Sequence, residues 1–319
     1  MTSRTEGGSA NGKMAGDMAT TLADEATTIA DLLADARRAL AAHDAIGAAD
    51  ALREAEMLVA AALQLGRATL LAQPERRVAG DDLVRVRDWL ARRARGEPLA
   101  YLAGRREFWS MVLRVTPDVL VPRPETEELV ARALELGDGI AARSDVPAIV
   151  DLGTGSGCIA LAIAHERARW RVTATDASAD ALAVARGNAA SLGLAQVEFA
   201  LGRWYEPLAD RRFDLILSNP PYVAADDIAL ADPALRHEPR MALTPGGDGL
   251  AALRHLIADA PGFLQPAGWI VLEHGAGQGA DVAGMLVARG FRHVRCAPDL
   301  AGRDRVTSAQ WPPSAAGLP

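Results

Sequence analysis

Asp151-Leu152-Gly153-Thr154-Gly155-Ser156-Gly157 is the stretch whose reading decides the fold. Ala148-Ile149-Val150-Asp151-Leu152 reads as a short buried strand, and a helix is expected after the glycines. A glycine-rich turn between strand and helix lets a ligand approach the backbone closely. In an open α/β sheet, ligands bind beyond the carboxyl ends of the strands. The spacing here is G-x-G-x-G. A dinucleotide fingerprint is G-x-G-x-x-G, and Cys158 stands where its third glycine would fall. No Gly-Lys-Ser/Thr follows, so the stretch is not a phosphate-binding P-loop.

Downstream, the chain alternates between strand and helix. Strands are expected over 171–176, 197–201, 213–218, 269–273, 291–296 and 305–310, with an Ala-rich helix ending at Leu192 after the first of these. Such alternation means α/β architecture, a mostly parallel sheet with helices on both faces. Upstream, residues 20–105 read as a helical bundle ending near Gly96-Glu97-Pro98, with no strand signal. Ile29, Leu32, Leu33, Ala36 and Leu40 follow one helix face; Leu52, Ala55, Leu58, Val59, Ala62 and Leu63 repeat it, as do Leu83, Val86, Trp89 and Leu90. Gly47, Gly66, Pro74 and Gly80 break the helices. Residues 106–123 read as a β-hairpin linker broken at Pro117-Asp118. A helix is expected over 124–136, with Pro124 and the acids Glu125, Glu127 and Glu128 suited to its start. The domains are then a disordered tail (1–19), the helical domain (20–105), the hairpin (106–123), an α/β domain (124–311) and a flexible tail (312–319).

The chain has 319 residues, enough for a large domain and a smaller one. Its net charge of −7 argues against bare nucleic acid as the direct partner, because phosphate neutralisation dominates such binding. The two cysteines, Cys158 and Cys296, make no disulfide framework or metal-ligand spacing and fit a reducing cytoplasm, each as a small buried residue. No apolar run suggests a membrane span or a signal peptide.

An acidic residue before G-x-G-x-G, here Asp151, resembles the first motif of class I methyltransferases, which use S-adenosylmethionine. Asp176 ends the second strand, where a carboxylate can accept hydrogen bonds from both ribose hydroxyls; helix N-capping is the alternative, since Ala177-Ser178 begins a helix. Gly202-Arg203-Trp204 follows the third strand. The indole of Trp204 either stacks on adenine or belongs to the core.

The fourth strand ends in Ser218-Asn219-Pro220-Pro221-Tyr222. Two prolines fix the backbone and remove two donors. The Asn219 side-chain oxygen and the Pro220 carbonyl can accept both hydrogens of a planar NH2 group, holding its nitrogen in line with the donor methyl at about 3 Å. No strong general base is needed, because the N-methylated intermediate is itself a strong acid. Asn219, Pro220 and Tyr222 are the candidate catalytic residues, with Pro221 completing the substrate site.

Motifs of this kind belong to methyltransferases of exocyclic or amide nitrogens. The stretches 96–104, Glu107-Phe108-Trp109, 122–127, 235–240, Gly247-Asp248-Gly249-Leu250, Leu272-Glu273-His274-Gly275 and 299–305 resemble the release factor glutamine methyltransferase family, over about residues 30 to 310. The resemblance implies a helical N-terminal substrate-docking domain, a hairpin and a seven-stranded Rossmann-like methyltransferase domain. It implies class-1 peptide chain release factors as protein substrate, methylated at the side-chain nitrogen N(5) of the glutamine in Gly-Gly-Gln; separately, a monomer is expected. Matched by motif, Asp151, Gly153, Thr154, Gly155, Ser156, Gly157, Asp176, Trp204 and Asn219 would bind S-adenosylmethionine. Asn219, Pro220, Pro221 and Tyr222 would hold the glutamine. The alternative is a nucleic-acid amino-group methyltransferase using the same tetrapeptide, which would call for a basic groove. One departure stands out: the family usually has Asp where this chain has Arg203, and Arg offers no acceptor to the adenine amino group. Either the backbone alone reads adenine or Arg203 turns to solvent. Arg123, Glu125 and Glu127 read either as a solvated helix start or as a pocket wall; Glu273 and His274 are assigned no role.

Overall fold

The computed structural model describes residues 27–41, 48–142 and 146–313. The expected tails lie outside these residues apart from Pro312 and Pro313, as does the break expected at Gly47. The chain divides between Ala103 and Gly104 into two compact units.

The first unit holds helices α1 (Ile29–Ala41), α2 (Ala48–Ala62), α3 (Arg67–Ala72), α4 (Gly80–Arg93) and α5 (Leu99–Ala103). Its core is the apolar face read from periodicity, with Ile29, Leu32, Ala36, Leu40, Leu58, Val59, Leu83 and Val86 buried. Leu52 departs from that face: it is exposed, and Ala51 is buried in its place. A short strand pair, β1 (Thr27–Thr28) with β2 (Arg77–Val78), corrects the expectation of no strand in this region. Two residues per strand are too few to leave a periodic signal.

The second unit opens with a hairpin, β3 (Arg105–Phe108) and β4 (Met111–Arg114). Its turn is not at Pro117-Asp118. It lies at Trp109-Ser110, both left-handed with φ of 51° and 59°. A two-residue hairpin loop of this kind favours Asn-Gly or Asp-Gly, and Trp-Ser carries no such signature. Contacts with helix α6 (Thr126–Ala141) and α7 (Cys158–Glu166) hold the turn: the Glu127 carboxylate accepts from the Trp109 backbone at 2.9 Å, and Glu166 from its indole at 2.8 Å. Helix α6 begins two residues later and ends five later than expected. Its Gly137 is tolerated inside the helix because the Trp170 ring fills the space beside it, where a Cβ would sit 2.2 Å from the ring.

The sheet has seven strands: β5 (Ala148–Leu152), β6 (Arg171–Asp176), β7 (Glu198–Leu201), β8 (Phe213–Ser218), β9 (Leu264–Glu273), β10 (Arg292–Pro298) and β11 (Asp304–Gln310). Their order is β10-β11-β9-β8-β5-β6-β7. β5 to β9 pair in parallel, while β11 runs antiparallel to both its neighbours. Helices α8 (Ala179–Leu192), α9 (Arg240–Leu243), α10 (Ala251–Phe263) and α11 (Gly279–Arg289) complete the unit. Two apolar clusters cover the sheet. One gathers Leu129, Ile149, Ile159, Leu161 and Ile163; the other gathers Val150, Ile216, Leu253, Ile270 and Leu286. Residues alternating along β5 thus feed opposite layers. Strand β9 starts five residues earlier than expected, because Gln265-Pro266-Ala267-Gly268 reads as a turn but is accommodated as an irregularity, with Ala267 at φ 62°. The strand order reverses between β5 and β8, the topological switch point where α/β sheets bind ligands.

Candidate active site

The turn after β5 folds back on β6. Gly153 and Thr154 both donate their N–H groups to the Thr175 carbonyl at 2.9 Å, and Gly157 donates to the Thr154 carbonyl. Gly153, Gly155 and Gly157 all have positive φ, where a side chain is strained. They differ in surroundings. A Cβ at Gly153 would lie 3.0 Å from the Trp204 ring and one at Gly157 3.0 Å from Leu161, whereas Gly155 has open space beside it. Asp151 is fully buried beneath the turn. Its Oδ2 accepts from the Thr154 hydroxyl at 2.6 Å, and its Oδ1 has no partner. Burial pushes the Asp151 carboxyl up to about 7 despite the hydroxyl that stabilises its charge.

Asp176 closes one side. Its Oδ2 accepts from the Gly155 N–H and its Oδ1 from the Ser178 N–H, both at 2.9 Å. It is not the helix cap: Ser178 caps α8, its hydroxyl accepting from Ala181. Trp204 is buried in the core cluster, one of the two readings for it, and also lines the cavity below; its Nε1 has no partner. Arg203 is exposed at the cavity edge, its backbone N–H donated to Glu206.

Across the crevice, Asn219 follows β8. Its Nδ2 donates to the Thr126 hydroxyl at 3.1 Å. Pro220 is buried, and the Tyr222 hydroxyl donates to Glu273 Oε1 at 3.3 Å. Burial raises both partners, Tyr222 well above the phenol range and Glu273 to about 7, although Thr126, Arg305 and Tyr222 all pull Glu273 down. The Tyr222 carbonyl accepts from Gln278 Nε2 at 3.0 Å, while Gln278 Oε1 accepts from Gly275. Gly249, at φ 79°, presses on the same carbonyl, and a Cβ there would sit 2.4 Å from it.

One cavity of about 400 Å³ joins the two sides. Gly153, Thr154, Gly155, Ser156, Asp176, Trp204, Asn219 and Pro221 line it; Asp151, Gly157, Pro220 and Tyr222 are not among its lining residues. Arg123 and Thr126 also line it. Arg123 pairs with the buried Glu238 at 2.5 Å, so that stretch is a wall as well as a helix start. His274 has both ring nitrogens occupied, Nδ1 at the Gly275 carbonyl and Nε2 at the Thr307 hydroxyl, and burial pulls its pKa below the usual imidazole range. Sequence reading missed Thr126, Gln278 and Asn188. Asn188 is buried and ties Ser156 to strand β4, donating to the carbonyls of Ser156 and Arg114 and accepting from the Arg114 N–H. Gln278 and Asn188 sit in no local motif; Thr126 lies in the family-like stretch 122–127 but was given no role of its own there, and contacts alone mark all three. Among the described residues, no cluster suits a metal and no helix is long and apolar enough to cross a membrane.

Known proteins are similar over both units. Residues 31–104 match the PrmC N-terminal domain model and residues 140–250 the methyltransferase small domain model. A release factor glutamine methyltransferase of Xylella fastidiosa (strain Temecula1) is 53% identical over 69% of this chain and 78% of its own length. This chain belongs to the release factor glutamine methyltransferase family. The enzyme of that name from Bordetella pertussis is 51% identical over 69% of this chain and 80% of its own. That from Pseudomonas aeruginosa is 43% identical over 75% and 84%. Among solved structures, the hMettl16 catalytic domain in complex with a MAT2A 3'UTR hairpin superposes with a TM-score of 0.54 at 17% identity, over 77% of this chain and 87% of that one. That likeness shows the class I methyltransferase fold alone.

Proposed function

We propose that this enzyme transfers a methyl group from S-adenosylmethionine to the side-chain N(5) of the glutamine in the Gly-Gly-Gln segment of class-1 peptide chain release factors. The observation that carries the reading is the single cavity that joins the glycine turn and Asp176 to Asn219 and Pro221. The residues present fit the cofactor. Asp176 keeps lone pairs for two neighbouring hydroxyls after accepting two backbone N–H groups. The space beside Gly155 admits a ligand against bare backbone, and Trp204 offers an aromatic wall whose Nε1 is unpartnered. Arg203, exposed at the rim, leaves the adenine amino group to the backbone.

When bound, S-adenosylmethionine supplies an electrophilic methyl group. The chain does the rest. Asn219 gives its Nδ2 to Thr126, so its Oδ1 is the free end. That oxygen and the Pro220 carbonyl accept the two hydrogens of the glutamine NH2, which orients its lone pair and excludes competing water. Two other carboxyl groups beside the site are buried: Glu273 accepts from the Tyr222 hydroxyl, and Asp151 from the Thr154 hydroxyl. Neither is needed as a base, because methylation makes the nitrogen acidic and its proton leaves to solvent. The helical unit is the docking surface for the release factor. The nucleic-acid reading is not favoured, since the relatives are named for release factor glutamine and the net charge is −7.

The test is transfer of label from S-adenosylmethionine to a class-1 release factor, its Gln→Ala variant at Gly-Gly-Gln, or DNA. Label is expected on the wild-type factor alone. Label on DNA or on the Ala variant, and none on the wild-type factor, would reverse the assignment.

A further inference from the structure

Glu238 is a buried acid that joins two stretches of the cavity lining. Its side chain is 1% exposed. Oε1 accepts from Arg123 Nη2 at 2.5 Å, and Oε2 accepts from the Val121 N–H at 3.2 Å. These donors lie 115 and 117 residues earlier in the chain. Leu120, Pro122 and Arg123 line the cavity on one side of the link, and Pro239, Met241 and Ala242 line it on the other. Glu238 itself is not among the lining residues.

A buried ion pair adds little stability by itself, because the cost of desolvation offsets much of the attraction. What this one fixes is position. With an oxygen engaged at each donor, the carboxylate has one orientation, and the Arg123 guanidinium is held at the cavity wall. A guanidinium carries five N–H donors and no acceptor. Arg123 gives one of them to Glu238, and among the described residues the others meet no protein acceptor. Its side chain is 34% exposed, so donors remain for a molecule in the cavity.

A Gly-Gly-Gln segment brings backbone carbonyls as acceptors. Its glycines leave those carbonyls unshielded, so a guanidinium can approach closely. The glutamine side-chain carbonyl is the poorer partner, because a donor there draws electron density from the nitrogen that must attack. We infer that Arg123 binds a backbone carbonyl of the substrate peptide and that Glu238 is the positioning residue that holds it there. The inference rests on the reading of the cavity as the site of the Gly-Gly-Gln segment.

The experiment uses the full chain, a class-1 release factor and S-adenosylmethionine, with Arg123→Met, Glu238→Gln and the double variant. Each single change should raise the KM for the factor by about tenfold or more, the loss of a charge-assisted hydrogen bond. The kcat and the cofactor dissociation constant should stay within about threefold of wild type, the split expected when binding common to ground and transition states is lost. Arg123→Met leaves a buried carboxylate without its cation and should lower the apparent Tm; the double variant removes both charges and should regain most of it. Its KM should stay as high as that of Arg123→Met, because Glu238 acts through Arg123. A KM that recovers together with Tm in the double variant makes the pair merely structural and overturns the inference. So does a near-wild-type KM in either single variant, or a cofactor dissociation constant that rises in step with KM. If the wild-type chain leaves the factor unmethylated, the functional reading falls and takes the inference with it. If the wild type works and Asn219→Ala does not, but Arg123→Met keeps a normal KM, the inference alone falls.

Discussion

The two walls of the cavity are built by different means. The wall after β5 and β6 is mainly local: Gly153, Thr154 and Gly157 bond to carbonyls of their own turn or of the neighbouring strand, and Asp176 reaches Gly155 only 21 residues away, with Asn188 the one distant brace, at Ser156. The wall after β8 is assembled from afar. Asn219 leans on Thr126, 93 residues earlier, and the Tyr222 carbonyl on Gln278, 56 residues later. Two prolines stiffen the tetrapeptide but leave it few backbone donors, so side chains from other elements must brace it. A cofactor site can be written in one stretch of sequence. A substrate site of this kind is spread over the whole fold.

The contrast is open to direct attack. Asn219→Ala should strike the substrate wall hardest, lowering kcat by about 10²–10³-fold, the scale seen when one preorganised polar group is removed from a reacting centre. Cofactor affinity by calorimetry should remain within a few-fold; if it collapsed as well, the two walls would not be separable. Asp176→Ala should do the converse. It should raise the cofactor dissociation constant by about 10–100-fold, as loss of hydrogen bonds to a charged group does, while saturating cofactor restores most of kcat. Gly249→Ala forces a Cβ to 2.4 Å from the Tyr222 carbonyl and strains a left-handed residue. It should lower kcat by about tenfold through a displaced loop, with an apparent Tm that drops by a few degrees, roughly a 1–2 kcal/mol effect.

A pH series separates the walls differently. Asp151 and Glu273 are both raised to about 7 by burial, one on each wall. Ordinary carboxyls titrate near about 4, so the folded chain holds protons here that the unfolded chain has lost. Their contribution to stability is full below about 4 and disappears as pH rises through about 7. The apparent Tm of the ligand-free protein should therefore fall between about pH 4 and 7 and level off above, and Asp151→Asn should flatten that slope; an unchanged slope in the variant would assign the titration elsewhere. The smallest effect is expected at the rim. Arg203→Ala should change the cofactor dissociation constant by no more than about twofold, as for an exposed side chain with no committed contact. A larger change would mean that Arg203 reaches the bound cofactor.

The same contrast explains what the sequence disclosed. Strands β5, β6 and β8 were legible to the residue because buried parallel strands are short apolar runs ended by a glycine, an acid or a proline. Gly153, Gly155, Asp176 and Asn219 were legible for the same reason, since each stands at the carboxyl end of such a strand. The hairpin turn at Trp109-Ser110 was not, because its left-handed residues are held by Glu127 and Glu166 rather than by their own chemistry. Nor was the bulged start of β9, where Pro266 and Gly268 imitate a turn. Thr126 read only as a member of the family-like stretch 122–127, with no role of its own, and Gln278 read as nothing at all. Their importance is a matter of which elements the sheet order brings together.

The most direct measurement is a crystal structure of the chain with S-adenosylhomocysteine and a peptide carrying Gly-Gly-Gln. The account predicts the cofactor along Gly155 and Asp176, the glutamine amide nitrogen between Asn219 Oδ1 and the cofactor sulfur, and the nitrogen about 3 Å from the position of the missing methyl. A complex in which residues 219–222 turn away from the cofactor, with the glutamine bound elsewhere, would contradict it.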